Sequence, residues 1–309
     1  MKKLCIILLC IIQILHTHSQ EEFHLSTSFD HVKLDQKKRR FVSDNKWVFP
    51  SQFDKYNNKS TGKIWINYGT LDLNAAIAQV EDAPKKRGKN ALHFKIMSPN
   101  VEKDGKKIKS RIQIEFAKIP GFKSFVSEVS VFLPTSMKEL NNYPNAITWL
   151  TLQEFWNAPV SDAGKTFRIT IGLRKSKEGK IYFEYRSQDY IGGKFINVAR
   201  SDNDSCKVPI GRWFRLRTEI IEGDKDSGFF CLTIKDGKEE KVIYRFKTQT
   251  MATVFCEKQY PRQGFTSLHP IKLYTSAQLT EWMKERGCAI EAYFADWKFD
   301  GVPYSSYNE

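Results

Sequence analysis

Apolar and polar positions alternate along most of this chain. In Ser110–Phe116, Ile112, Ile114 and Phe116 fall on one face and Arg111, Gln113 and Glu115 on the other, because strand side chains point alternately to opposite sides. Similar patterns mark residues 62–68, 91–96, 125–133, 167–173, 181–187, 213–221, 229–234, 242–246, 265–274 and 289–299 as strands, with a shorter one at 194–198. Residues 145–157 read as a long central strand. Ile147, Trp149, Leu150 and Leu152 give it the density of a sheet interior, and Ala158-Pro159 stops it. It ends in Gln153, Glu154, Trp156 and Asn157. Polar groups on a central strand are costly unless paired or used, so this end is expected to floor a binding cleft. One helix is predicted over 276–286. Ser276 caps it, Leu279, Trp282 and Met283 form its apolar stripe, and Gly287 ends it.

About a dozen strands with a single helix, and turn signals at regular spacing, predict an all-β sandwich or barrel. No βαβ alternation, Gly-rich phosphate loop, HExxH or G-x-S-x-G pattern occurs. Residues 1–19 have the form of a signal peptide: Lys2 and Lys3, an apolar run from Leu4 to Leu15, and Ser19 at the cleavage point. That run is shorter than the ~20 residues that span a bilayer, and no later stretch is apolar enough. A secreted or periplasmic location follows as an expectation. Residues 20–44 are expected to be a flexible lead-in with at most one edge strand, residues 45–309 a single β domain, and the lysine-rich loop 98–109 mobile.

The net charge of +14 changes the picture of partners. In an exported protein it points to an acidic polysaccharide, an anionic surface or nucleic acid, unless it serves solubility alone. No nucleic-acid-binding module is recognisable, so nucleic acid is set aside. Cys206, Cys231, Cys256 and Cys288 follow the leader without a CxxC pair, which argues against zinc and leaves disulfides and buried thiols both open. No cofactor is expected. A structural Ca²⁺ at Asp202-Asn203-Asp204 is the one metal considered, against a plain turn. A monomer is expected.

Residues 45–301 resemble the concanavalin A-like β-jelly roll, a sandwich of two antiparallel sheets, and within it the alginate lyases and heparin lyase I. Three stretches carry the resemblance. Val208-Pro-Ile-Gly-Arg-Trp213 with Gly228–Gly237 is similar to the family's P-x-G-x-W … G … D-G hairpin. Ser110-Arg-Ile-Gln-Ile-Glu115 is similar to its R-x-E-L strand, and Leu152–Pro159 stands where its Q-x-H strand would be. Lys272-Leu273-Tyr274 corresponds to its K-x-G-x-Y strand. The departures are clear. Phe155 or Trp156 stands for the family's histidine, Gln113 for its acid, and Lys272 is two residues from Tyr274 rather than four.

The resemblance implies a lyase that cleaves a uronic acid polysaccharide by β-elimination. Such an enzyme must neutralise the uronate carboxylate, remove the α-proton and protonate the leaving oxygen. Arg111 with Gln153 or Asn157 suits the first task. Tyr274 suits the acid and, as tyrosinate, the base, with His269 a second candidate base. Gln113, Glu154, Trp156, Arg168, Arg186 and Lys272 are expected to bind substrate, and Trp149, Tyr182 and Tyr185 to stack on sugars. Each has an ordinary alternative: Arg111 paired with Glu115 or Glu184, Tyr274 packed in its strand, His269 in a loop. A glycoside hydrolase would need two carboxylates roughly 5–10 Å apart, for which Glu154 with Glu115 or Glu184 are the candidates. A carbohydrate-binding protein without turnover is the remaining alternative.

Overall fold

The computed structural model describes residues 22–43, 46–47, 63–68, 74–85, 89–102, 104–117, 119, 121–157, 166–257 and 261–304. The expected signal peptide, most of 45–62 and the loop 158–165 lie outside them. In chain order the first strands are β1 (Phe23–Thr27), β2 (Lys33–Asp35), β3 (Arg40–Ser43), β4 (Lys46–Trp47), β5 (Lys63–Asn67), β6 (Ala76–Asp82) and β7 (Asn90–Ile96). Next come β8 (Asn100–Val101), β9 (Lys107–Ile108), β10 (Ser110–Ala117), β11 (Phe122–Phe132), β12 (Leu150–Asn157), β13 (Phe167–Lys175) and β14 (Ile181–Ile191). The last are β15 (Lys194–Lys207), β16 (Trp213–Ile221), β17 (Phe229–Asp236), β18 (Glu239–Lys247), β19 (Ser267–His269), β20 (Lys272–Thr275) and β21 (Ile290–Pro303).

Two eight-stranded antiparallel sheets pack face to face. One runs β18-β17-β16-β11-β21-β7-β6, with β1 on β21. The other runs β15-β14-β13-β12, then β19 and β20 together, then β10 and β5. The chain is thus an all-β sandwich of two antiparallel sheets, as its alternation predicts. Phe125 of β11 meets Phe155, Phe265 and Phe299 at ring separations of 4.8 to 5.4 Å, which binds the two sheets through a shared aromatic core. The predicted helix forms over Ala277–Glu285, and the Ser276 hydroxyl accepts from the Leu279 N–H.

Three strand expectations are corrected. The lead-in carries three strands, β1, β2 and β3, where at most one was expected, and Phe23 and Leu25 of β1 are buried against β21 because alternate apolar residues there complete the first sheet. The central strand starts only at Leu150, and the short strand at 194–198 grows to the 14 residues of β15, with Asp202-Asn203-Asp204 inside it rather than in a turn. Loop 98–109 is the β8–β9 hairpin, tied at its base where Ser110 Oγ accepts from Asn100 N and donates to Ser98 O. The cysteines, for which disulfides and thiols were both left open, are free thiols in all four described cases.

Candidate active site

Alternation decides which candidates share a face. On β10, Ile112, Ile114 and Phe116 enter the core, so Arg111, Gln113 and Glu115 lie on the outer face of the second sheet. Register sets Arg111 opposite Tyr274 and Gln113 opposite Lys272 on β20, and Thr151 of β12 flanks Tyr274 from the other side. Glu154 faces His269 across β12 and β19, and Trp156 faces Arg168 across β12 and β13. Residues from five sequence segments therefore converge on one patch.

Gln153 and Asn157 do not join it. They share a parity with Phe155 and point into the sandwich. Gln153 accepts from the Thr218 hydroxyl of the opposite sheet at 2.5 Å and donates to Pro270 O at 3.0 Å. Asn157 donates to Glu222 Oε1 at 2.6 Å. Tyr185 is likewise a core residue, 4.2 Å from Phe230 ring to ring. Neighbouring positions on a strand face opposite sides, so Gln153, Glu154, Trp156 and Asn157 cannot all face one cleft.

The floor of the patch is a buried group of three. Lys272 Nζ donates to Glu154 Oε2, and His269 Nδ1 lies 3.5 Å from the same oxygen. Lys272 is 1%, Glu154 3% and His269 7% exposed, so all three are shielded from bulk water. Burial opposes ionisation of Glu154, but Lys272 and then His269 outweigh it and hold the carboxyl well below its usual range. Burial pulls the Lys272 ammonium down while Glu154 pulls it back up. Burial also lowers His269, opposed by its contact with Glu154 and reinforced by Lys272, which leaves the imidazole neutral. Arg168 sits 3.7 Å from Glu154 Oε1, its Nε donates to Gln188, and its guanidinium lies 4.0 Å over the Phe195 ring and 5.4 Å over Trp156.

Above this floor stands Tyr274. It is half-buried, stacks on Trp149 at 5.8 Å, and has Lys272 Nζ 5.0 Å and Lys109 Nζ 5.7 Å from its ring. Its hydroxyl has no hydrogen-bond partner among the described residues. Arg111 donates to Asn67 Oδ1 at 3.3 Å, and its buried Nε finds no acceptor among the described residues. Glu115, one of the two acids considered as its partner, instead accepts from Asn67 at 2.6 Å and Gln113 at 3.2 Å. A half-open phenol is thus ringed by Arg111, Lys109, Lys272 and Arg168.

Further along the face, Glu184 gathers Arg174, Arg186 and Arg200. Arg186 was expected here. Arg174 and Arg200 were missed, as were Asn67 and Lys109. Arg174 was legible, since it shares the parity of Arg168 on β13; Arg200 was hidden because its strand was expected to end at Val198. No group of three or more His, Cys, Asp or Glu among the described residues is arranged to hold a metal. Asp202 pairs with Arg200, and Asn203 donates to Ile243 O. No described helix is long and apolar enough to cross a membrane.

The sequence matches no protein-family model and no curated protein. Solved structures that are similar in fold include an alginate lyase, at 10% identity and TM-score 0.48 over 90% of this chain and 96% of that one. The endo-β-1,4-glucuronan lyase of the fungus Trichoderma reesei is similar at 12% identity and TM-score 0.46 over 76% and 94%. The marine alginate lyase of Aplysia kurodai is similar at 10% identity and TM-score 0.41 over 71% and 86%.

Proposed function

We propose that this protein is exported and cleaves an anionic, uronic-acid-containing polysaccharide by β-elimination on the outer face of its second sheet. The observation that carries the reading is Tyr274: a phenol with no hydrogen-bond partner among the described residues, half-open to solvent, inside a ring of cations. Such a ring attracts a polyanion and stabilises the negative charge that grows on the uronate carboxylate as its α-proton leaves. Arg111, whose Nε lacks an acceptor among the described residues, binds that carboxylate. Tyr274 as tyrosinate takes the α-proton. The electron pair forms the new double bond, the glycosidic C–O bond breaks, and the phenol returns its proton to the leaving oxygen. His269, neutral and beneath the surface, holds Glu154 and Lys272 in place rather than meeting substrate. Trp149 orients the phenol by stacking, and its carbonyl accepts from Thr275.

The test is ultraviolet absorbance of the unsaturated product on a panel of uronic acid polysaccharides. A rise is expected with the native chain, and Tyr274→Phe should lower the rate by about 10²–10⁴-fold. Its fold should be unchanged, since the lost hydroxyl bonds to nothing in the described protein. Full activity in Tyr274→Phe would overturn the assignment. Glycan retention without any product would favour a binding protein.

A further inference from the structure

Three guanidinium groups converge on one buried carboxylate away from Tyr274. Glu184 Oε1 lies 3.0 Å from Arg174 Nη1, 2.8 Å from Arg186 Nη2 and 2.9 Å from Arg200 Nε. Glu184 is 4% exposed, whereas the arginine side chains remain 16%, 19% and 37% exposed. Like charges this close repel unless something holds them, and Glu184 does so with a single negative charge. Asp202 offsets part of Arg200 at 3.1 Å. The cluster keeps a positive surplus and more N–H donors than its carboxylates accept. The Nε groups of Arg174 and Arg186 are buried and have no acceptor among the described residues.

Register ties this cluster to Tyr274. Tyr274, Thr151, Gly172 and Glu184 stand opposite one another on adjacent strands and form one row across the sheet. Neighbouring strands are about 4.8 Å apart, so Glu184 lies about 14 Å from Tyr274. That is the reach of a short oligosaccharide, not of one sugar. Between the two, Gly172 presents no side chain, and a Cβ there would come within 2.9 Å of Leu150 O. Arg186 also donates to Thr148 O at 3.3 Å, beside the Trp149 that stacks on Tyr274.

We propose that Arg174, Arg186 and Arg200, held together by Glu184, form a second anion site that binds an oxyanion substituent of the glycan several sugars from the reacting linkage. The substituent is a uronate carboxylate or a sulfate ester; both present coplanar or tetrahedral oxygens that guanidinium forks bind in pairs. The inference rests on the lyase reading, because it takes Tyr274 as the reacting end.

The experiment measures calorimetric affinity of the full chain carrying Tyr274→Phe for uronate oligosaccharides of increasing length, with and without sulfate. Arg200→Gln is then added, with Arg200→Lys as the charge-keeping variant and circular dichroism as the check on folding. Arg200→Gln should weaken long oligosaccharides about tenfold, leave disaccharides alone and reduce the salt dependence of binding, with Arg200→Lys in between. Tighter binding of sulfated chains, lost in Arg200→Gln, assigns the sulfate ester; equal affinity assigns the carboxylate. Equal affinity of parent and Arg200→Gln at every length overturns the second site. So does an equal loss at every length. If the native chain yields unsaturated product while Arg200→Gln changes nothing, only this site falls. If the parent binds no anionic glycan at all, the lyase reading falls with it.

Discussion

Each sheet carries a buried histidine–carboxylate group on its outer face, and the two differ in which charge is in surplus. On the second sheet, Glu154 is surrounded by Lys272, His269 and Arg168. On the first, His93 of β7 lies between two acids, with Nδ1 2.8 Å from Glu81 and Nε2 3.2 Å from Glu291. There His93 stacks flat on Tyr293 at 3.9 Å, and Ser136 donates to Glu291 at 2.9 Å. Burial and then Glu81 push the Tyr293 phenol far above its ordinary range, so it stays protonated. Tyr274 has cations for neighbours, and Tyr293 has carboxylates. A buried histidine beside an acid is therefore not by itself a sign of chemistry. The sign of the surplus, and whether a reactive group is left unpaired, decides whether an anionic polymer can be held and transformed.

Removing an acid from each group tests this most strongly. Glu154→Leu leaves the Lys272 ammonium buried without its partner, and should destabilise the fold by about 3–5 kcal/mol in denaturant unfolding. Adding Lys272→Met should recover most of that loss, because a buried pair replaced by apolar groups of similar volume is close to neutral. A cost for Glu154→Leu no larger than that of the matching change at Glu81 would break the contrast.

Acid should act on the cleft group in two stages. The His269 pKa is depressed in the folded protein, so below its ordinary 6.5 the unfolded chain binds a proton that the native one refuses. Stability then falls with pH, by at most about 1.4 kcal/mol per pH unit for one group. Glu154 is depressed as well. Its contribution is complete above 4.5 and is lost as pH drops below that value toward its folded pKa. Unfolding curves from pH 7 down to about 2 should show both stages, and His269→Gln should remove the upper one alone. If the upper stage survives in His269→Gln, the histidine is not its source.

The sandwich was legible because alternation is a backbone property. The strands around Arg111, Phe125, Phe167, Trp213 and Phe229 all form as patterned. The site was legible where alternation was followed strictly: Arg111, Gln113, Glu154, Trp156, Arg168, Arg186, Lys272 and Tyr274 do share the outer face. It failed where proximity in sequence was read as proximity in space. Gln153 and Asn157 flank Glu154 and Trp156 along the chain yet face Thr218 and Glu222 inside. The pairing of Glu154 with Lys272, 118 positions apart, depends on strand order, which no local pattern encodes. β19 and β20 replace a single expected strand because the chain breaks at Pro270, where Ile271 O accepts from Ile114 N and the following residues realign on β10.

The smallest effect belongs to the first sheet. Glu81 is 34% exposed on its side chain, so Glu81→Gln should cost about 1 kcal/mol or less. It should leave any glycan-cleaving activity untouched, because no strand of that sheet reaches the Tyr274 patch. Its readout is Tyr293. Burial is the leading cause of that phenol's elevation and Glu81 the next, so removing the acid should lower the Tyr293 pKa while keeping it above the ordinary 10.0. Alkaline difference absorbance, with Tyr293→Phe to identify the signal, measures the change. A return to the ordinary value would mean that the carboxylate, not burial, keeps this phenol protonated. The two tyrosines would then differ only in the sign of their neighbours, and the contrast between the sheets would reduce to charge alone.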